Sequence, residues 1–145
     1  MAGAVVVDAS VWVSRLVTDD VFHTASRTWL IHHAQDGGRW VAPALMPAEV
    51  VGAISRRTGK PELANRALKH LLLPGLRGLR LVALDRRLGK AAAQLAASAG
   101  LRGADAVYAA LAQHLSIPLV TWDEETGQRA GALLTVMQPP REAAP

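Results

Sequence analysis

The chain has 145 residues, half of them hydrophobic, which is enough for one domain with a substantial core. No apolar run approaches the roughly 18 residues of a membrane span, and the absence of cysteine excludes disulfides and thiolate metal sites. Lys and Arg number 16 against 12 Asp and Glu, a net charge of +4 that favours a polyanionic partner only weakly by itself.

The first element is an apolar run, Ala4-Val5-Val6-Val7, which reads as a buried strand. No basic segment precedes it, so no signal peptide and a cytoplasmic location are expected. Asp8 ends the run and a helix-like stretch follows over residues 11–17. An acid there lies at the carboxyl edge of a sheet, where open α/β folds place ligands. Its alternative role is to cap the next helix.

Helix-like and strand-like stretches then alternate. Helices are predicted near residues 21–34, 44–57, 62–72, 85–99 and 104–115, with a short one after Asp123. Strands are predicted at 39–42, 80–83, 119–121 and 133–136. Asp36-Gly37-Gly38, Thr58-Gly59-Lys60-Pro61, Leu73-Pro74-Gly75, Gly100 and Ser116-Ile117-Pro118 mark the joins. This alternation argues a parallel sheet covered on both faces. Residues 1–137 read as one domain, and 138–145, rich in Pro and Ala, as a flexible tail.

Four acids carry the chemistry. Glu49 sits on its helix among Leu45, Ala48, Gly52 and Ala53. A carboxylate in an apolar face needs a partner, either a ligand or an arginine such as Arg56. Asp105 opens the helix through Val107, Tyr108 and Leu111, a position that also suits the helix dipole. Asp123 follows Leu119-Val120-Thr121-Trp122 and repeats the Asp8 situation at a second strand end. Ser10 and Thr121 lie two positions from Asp8 and Asp123, where a hydroxyl can orient a carboxylate or make a local turn. Four acids converging from separate segments suit one hard cation, Mg²⁺ or Mn²⁺. If they share a pocket, 16 basic residues face only eight other acids, a balance suited to a polyanion handled through a cation. His32 and His33 are adjacent on one helix and read as surface or packing residues.

The segments Val6-Val7-Asp8-Ala9-Ser10, Pro43-Ala44-Leu45-Met46-Pro47-Ala48-Glu49-Val50, Leu101-Arg102-Gly103-Ala104-Asp105-Ala106-Val107-Tyr108 and Leu119-Val120-Thr121-Trp122-Asp123 together resemble the PIN-domain family. Within it they are most similar to the VapC-type ribonuclease toxins of bacterial toxin–antitoxin pairs. The resemblance implies a three-layer α/β/α sandwich with a five-stranded parallel sheet in the order 3-2-1-4-5. It implies Mg²⁺- or Mn²⁺-dependent endonucleolytic cleavage of RNA, a VapB-type antitoxin as partner, and a homodimer. Asp8, Glu49, Asp105 and Asp123 match the family's acidic positions. The chain departs from the pattern near the fourth acid, with Trp122 for a small residue and Thr126 for an apolar one. Glu124 and Glu125 stand ready to replace or supplement Asp123, or simply favour the helix dipole.

Trp12, Phe22, Trp29 and Leu30 fall in helices that would border the antitoxin groove, or are ordinary core. Arg15, Arg27, Arg56, Arg57, Lys60, Arg86, Arg87 and above all Arg102 are candidate RNA contacts. The alanine-rich 91–99 stretch suits close helix packing. A catalytically weak RNA-binding module of the same fold is the competing reading.

Overall fold

Five short strands share one sheet, and every neighbouring pair is parallel. They are β1 (Ala4–Val7), β2 (Arg39–Pro43), β3 (Leu79–Val82), β4 (Leu119–Val120) and β5 (Val136–Met137), in spatial order β3-β2-β1-β4-β5. This computed structural model describes residues 2–72 and 77–141. The turn expected at Leu73-Pro74-Gly75 lies outside them.

Seven helices among the described residues connect the strands: α1 (Ala9–Leu16), α2 (His23–Gln35), α3 (Met46–Thr58), α4 (Pro61–Leu72), α5 (Arg86–Ala99), α6 (Gly103–Leu115) and α7 (Glu124–Ala130). Helix α1 packs on α2 and α3, α3 packs on α4, and α5 packs on α6. The small side chains of α5 allow that last approach, as its alanine content implies. The result is the expected α/β sandwich with the 3-2-1-4-5 order.

The strands that the sequence marks most strongly are the most buried. Val6, Val7, Leu119 and Val120 of β1 and β4 are almost fully covered. The last strand differs from expectation. Leu133 and Leu134 give their amides to the Ala130 carbonyl, which closes the end of α7, so pairing begins only at Val136. His33 is buried and stacks between Trp29 and Trp40, with Nε2 against the Arg39 carbonyl at 3.1 Å. A Cβ at Gly38 would stand 2.3 Å from that ring, so only glycine admits it. His32 is exposed. Beyond the sheet, Pro139 is buried and the Arg141 guanidinium lies 5.6 Å from the Phe22 ring centre.

The order reverses between β1 and β4. Their chains leave in opposite directions, and a crevice opens at their carboxyl ends. Asp8 follows β1 there, and Thr121-Trp122-Asp123 follows β4.

Candidate metal centre

Asp8 is 8% exposed and is built into the crevice floor. Its Oδ2 accepts from the Ser10 amide at 3.2 Å, which caps α1, and from the Thr121 hydroxyl at 2.9 Å. The cap and ligand readings are therefore compatible, because capping uses one oxygen. Thr121 Oγ1 in turn accepts from the Asp123 amide at 3.0 Å, and Ser10 Oγ accepts from the Trp122 amide at 3.1 Å. The two hydroxyls stitch the ends of β1 and β4 together. Burial pushes the Asp8 carboxyl above its ordinary value, against these hydrogen bonds and with a push from Asp105.

Glu49 projects from α3. Its Oε1 is buried without a hydrogen-bond partner among the described residues, as is the Tyr108 hydroxyl. The two groups interact without meeting hydrogen-bond geometry. Burial raises Glu49 first; Asp8 and Asp105 raise it further, while Tyr108 opposes them. The same setting pushes the Tyr108 hydroxyl far up, through burial and the Glu49 charge. No salt bridge to Glu49 forms among the described residues; Arg57 pairs instead with Asp20 at 2.7 Å.

Asp105 and Asp123 stand at the rim. Asp123 caps α7, accepting from the Glu125 and Thr126 amides at 3.0 and 3.4 Å. The buried Thr126 hydroxyl gives it a third bond at 3.0 Å, a use for the polar residue where the family pattern has an apolar one. Arg102 reaches both acids: Nε meets Asp105 Oδ2 and Nη2 meets Asp123 Oδ2, each at 2.9 Å. Glu124 and Glu125 are exposed, and Glu125 pairs with Arg129 at 3.0 Å.

Trp122 is the other departure. It stacks on Phe22 with ring centres 3.9 Å apart and planes 6° from parallel. Its indole N–H donates to Ser26 Oγ at 2.7 Å, and Ser26 meets Ser14 at 2.6 Å. This buried polar relay locks α1, α2 and the end of β4. In the sequence this pairing leaves no local mark beyond a Trp two positions after a buried strand. Phe22, Trp122, Ser10, Arg56 and two of the four acids, Glu49 and Asp123, line a cleft of about 560 Å³. Trp12 and Leu30 are buried, and Trp12 meets Trp40 edge-on; both line a smaller apolar hollow of about 270 Å³ with Leu16 and Ile31.

The donor set is all oxygen, which suits a hard cation. The stranded Glu49 Oε1 is a second sign of fit, since a buried oxygen without a partner is costly unless something meets it. Among the described residues, no three of these groups already stand close enough to form a cage.

The fold and this cleft define a class: an α/β domain with acids gathered at the switch point of a parallel sheet. The PIN domain family model matches residues 5–132, and the chain belongs to that family. No curated protein sequence matches it directly. The structure is similar to Mycobacterium tuberculosis VapC20, a toxin described as cleaving the sarcin-ricin loop, with TM-score 0.73 and 18% identity over 90% of this chain and 96% of that one. It is similar to Rickettsia felis VapBC2, solved with a promoter DNA fragment, with TM-score 0.69 and 16% identity over 93% and 98% of the two chains. PAE2754 of Pyrobaculum aerophilum is 25% identical with TM-score 0.61, over 89% and 87%. No helix among the described residues is long and apolar enough to cross a membrane.

Proposed function

We propose that this protein is a divalent-cation-dependent endoribonuclease, the toxin of a toxin–antitoxin pair, acting in the cytoplasm. The observation that carries this reading is the gathering of acids from separate segments at a sheet switch point: Arg102 bridges Asp105 and Asp123, the Asp105 charge reaches Asp8 and Glu49, and Glu49 Oε1 is buried without a partner among the described residues. Asp8, Glu49, Asp105 and Asp123 would hold Mg²⁺ or Mn²⁺. When bound, the cation supplies an activated water and charge stabilisation at the phosphodiester.

The chain's own residues do the rest. The Thr121 hydroxyl and the Ser10 amide both fix the same Asp8 oxygen, Oδ2, and so set the orientation of the carboxylate. Ser10 Oγ and Thr121 Oγ1 hold the two strand ends in register, so the acids on them keep a set spacing. Arg56 lines the cleft without an ion pair among the described residues and is placed to meet a phosphate. Arg102 is available to RNA only after leaving its carboxylates. The apolar hollow beside Trp12 and Leu30 suits a VapB-type antitoxin segment, and a homodimer accords with the family. VapBC2 was solved as a toxin–antitoxin pair, which supports the partner assignment by analogy.

Cleavage of a structured RNA should require Mg²⁺ or Mn²⁺ and stop on chelation. Asp8→Asn should lower the rate by about 100-fold or more, since metal-ion catalysis is worth several kcal/mol. Full cleavage in chelator by a folded Asp8→Asn protein would sink the assignment. RNA binding with no cleavage in either cation would favour the binding-module reading.

A further inference from the structure

Arg102 makes an arrangement that neither the cation nor the RNA reading uses. It leaves the chain at the N-cap of α6 in extended conformation, immediately after the buried Leu101. Its side chain is 74% exposed, yet its fork is fully oriented. One nitrogen takes Asp105, three residues on, and another takes Asp123, on a different element. Both bonds end on an Oδ2 oxygen, at 2.9 Å. The guanidinium thus stands where two of the four acids would otherwise repel each other. The other two acids have no such partner: Asp8 is met by neutral donors, and Glu49 Oε1 by none among the described residues.

We propose that Arg102 is a built-in counter-cation that holds Asp105 and Asp123 in the metal-free protein and must be displaced for a divalent ion to use them. The inference rests on the metal-site reading above. A guanidinium and a divalent ion cannot share these oxygens at close range without strong like-charge repulsion. The side chain is exposed, so leaving costs no core packing. Its two ion pairs are solvent-screened and individually weak, which makes the clamp displaceable. A positioned fork also keeps the rim acids from splaying apart while no cation is present. Arg102 is therefore a positioning residue, and it sets a threshold for cation entry.

The test is Mn²⁺ affinity measured by calorimetry, with the Mn²⁺-induced rise in Tm as a second readout. The proteins are the native chain, Arg102→Ala, Arg102→Lys and Arg57→Ala. Arg57 is paired with Asp20 and controls for general loss of positive charge. Arg102→Ala should bind Mn²⁺ roughly three- to tenfold more tightly, the range that two exposed ion pairs allow. Arg102→Lys, a point charge unable to fork, should fall between. The Tm rise on adding Mn²⁺ should be larger in Arg102→Ala than in the native protein. Unchanged or weaker Mn²⁺ binding in Arg102→Ala overturns the clamp while leaving the metal site intact. Equal tightening in Arg57→Ala also overturns it, as through-space electrostatics. If neither the native chain nor Arg102→Ala binds Mn²⁺, the metal reading and the clamp fall together.

Discussion

The floor and the rim of the acidic cleft solve the same electrostatic problem in opposite ways. On the floor, Asp8 and Glu49 are desolvated, and both are raised above the ordinary carboxylate range. Among the described residues no cation pairs with either of them. On the rim, Asp105 and Asp123, more exposed than Asp8, share a full positive charge from Arg102. Burial removes the water that would otherwise stabilise the floor charges, and no side-chain cation replaces it. The floor is thus held in readiness by packing and hydrogen bonds, whereas the rim is already neutralised. Floor residues should govern stability and its pH dependence, and rim residues should govern access.

The sharpest way to break this contrast is through the two threonines. Thr121 donates to Asp8 on the floor and accepts from the Asp123 amide. Thr126 donates to Asp123 at the rim, where two backbone amides and Arg102 also bind. Thr121→Val keeps the volume but leaves buried Asp8 Oδ2 with the Ser10 amide alone and takes the acceptor from the Asp123 amide, at a cost of about 1–3 kcal/mol. Thr126→Val should cost less than about 1 kcal/mol, because Asp123 keeps its other donors. Denaturant melts in chelator measure both. Equal losses would mean that floor and rim are not distinct.

A smaller effect sharpens the same contrast through pH. Asp8 and Glu49 bind their protons more tightly in the folded than in the unfolded chain. The native state therefore holds more protons in a window that starts at the ordinary values, 3.8 and 4.5, and extends upward. Their stabilising contribution is fully present below the window and is lost as pH rises through it. In chelator, Tm should fall as pH rises from the start of that window toward neutrality. Glu49→Gln should flatten the fall and raise metal-free stability at neutral pH, by less than about 1 kcal/mol given its partial exposure, seen as a higher Tm. Saturating Mn²⁺ should oppose the fall, because ionised ligands bind it better. A sharp loss of metal-free stability in Glu49→Gln would show that the carboxylate is a structural anchor.

Much of this contrast was legible in the chain, for a physical reason. Asp8 and Asp123 each end a short apolar run, so strand burial and placement at the sheet edge follow from local pattern alone. The run Ala4-Val5-Val6-Val7 matches β1 from end to end. What pairs with each acid was not legible. Arg102 lies three residues from Asp105, a spacing that helix geometry makes visible, but its second bond spans 21 positions and depends on how β4 is laid beside β1. Phe22 against Trp122 is another long-range contact without a local signature. The Glu49–Tyr108 meeting required knowing that α3 and α6 face one crevice. The late start of β5 depended on how α7 terminates, which apolar Leu133 and Leu134 conceal.

The smallest effect concerns the two arginines at the end of α3, adjacent in sequence and both lining the cleft. Arg57 is committed to Asp20 at 2.7 Å, whereas Arg56 makes no ion pair among the described residues. A phosphate contact releases condensed counterions, so each one adds just under one unit to the slope of log affinity against log salt, about 0.7 for a single strand. Arg56 keeps its charge free for that exchange. Arg57 would have to give up Asp20 first, and the gain would be offset by an acid left exposed to the RNA. Arg56→Ala should therefore flatten the salt slope of RNA binding by about one contact, measured in chelator so that cleavage is silent. Arg57→Ala should change the slope by clearly less and, because exposed pairs contribute little, should cost under about 1 kcal/mol of stability. If the two variants flatten the slope equally, pairing with Asp20 does not withdraw Arg57 from the substrate. The cleft then attracts RNA through its summed field, without a particular arginine at its wall.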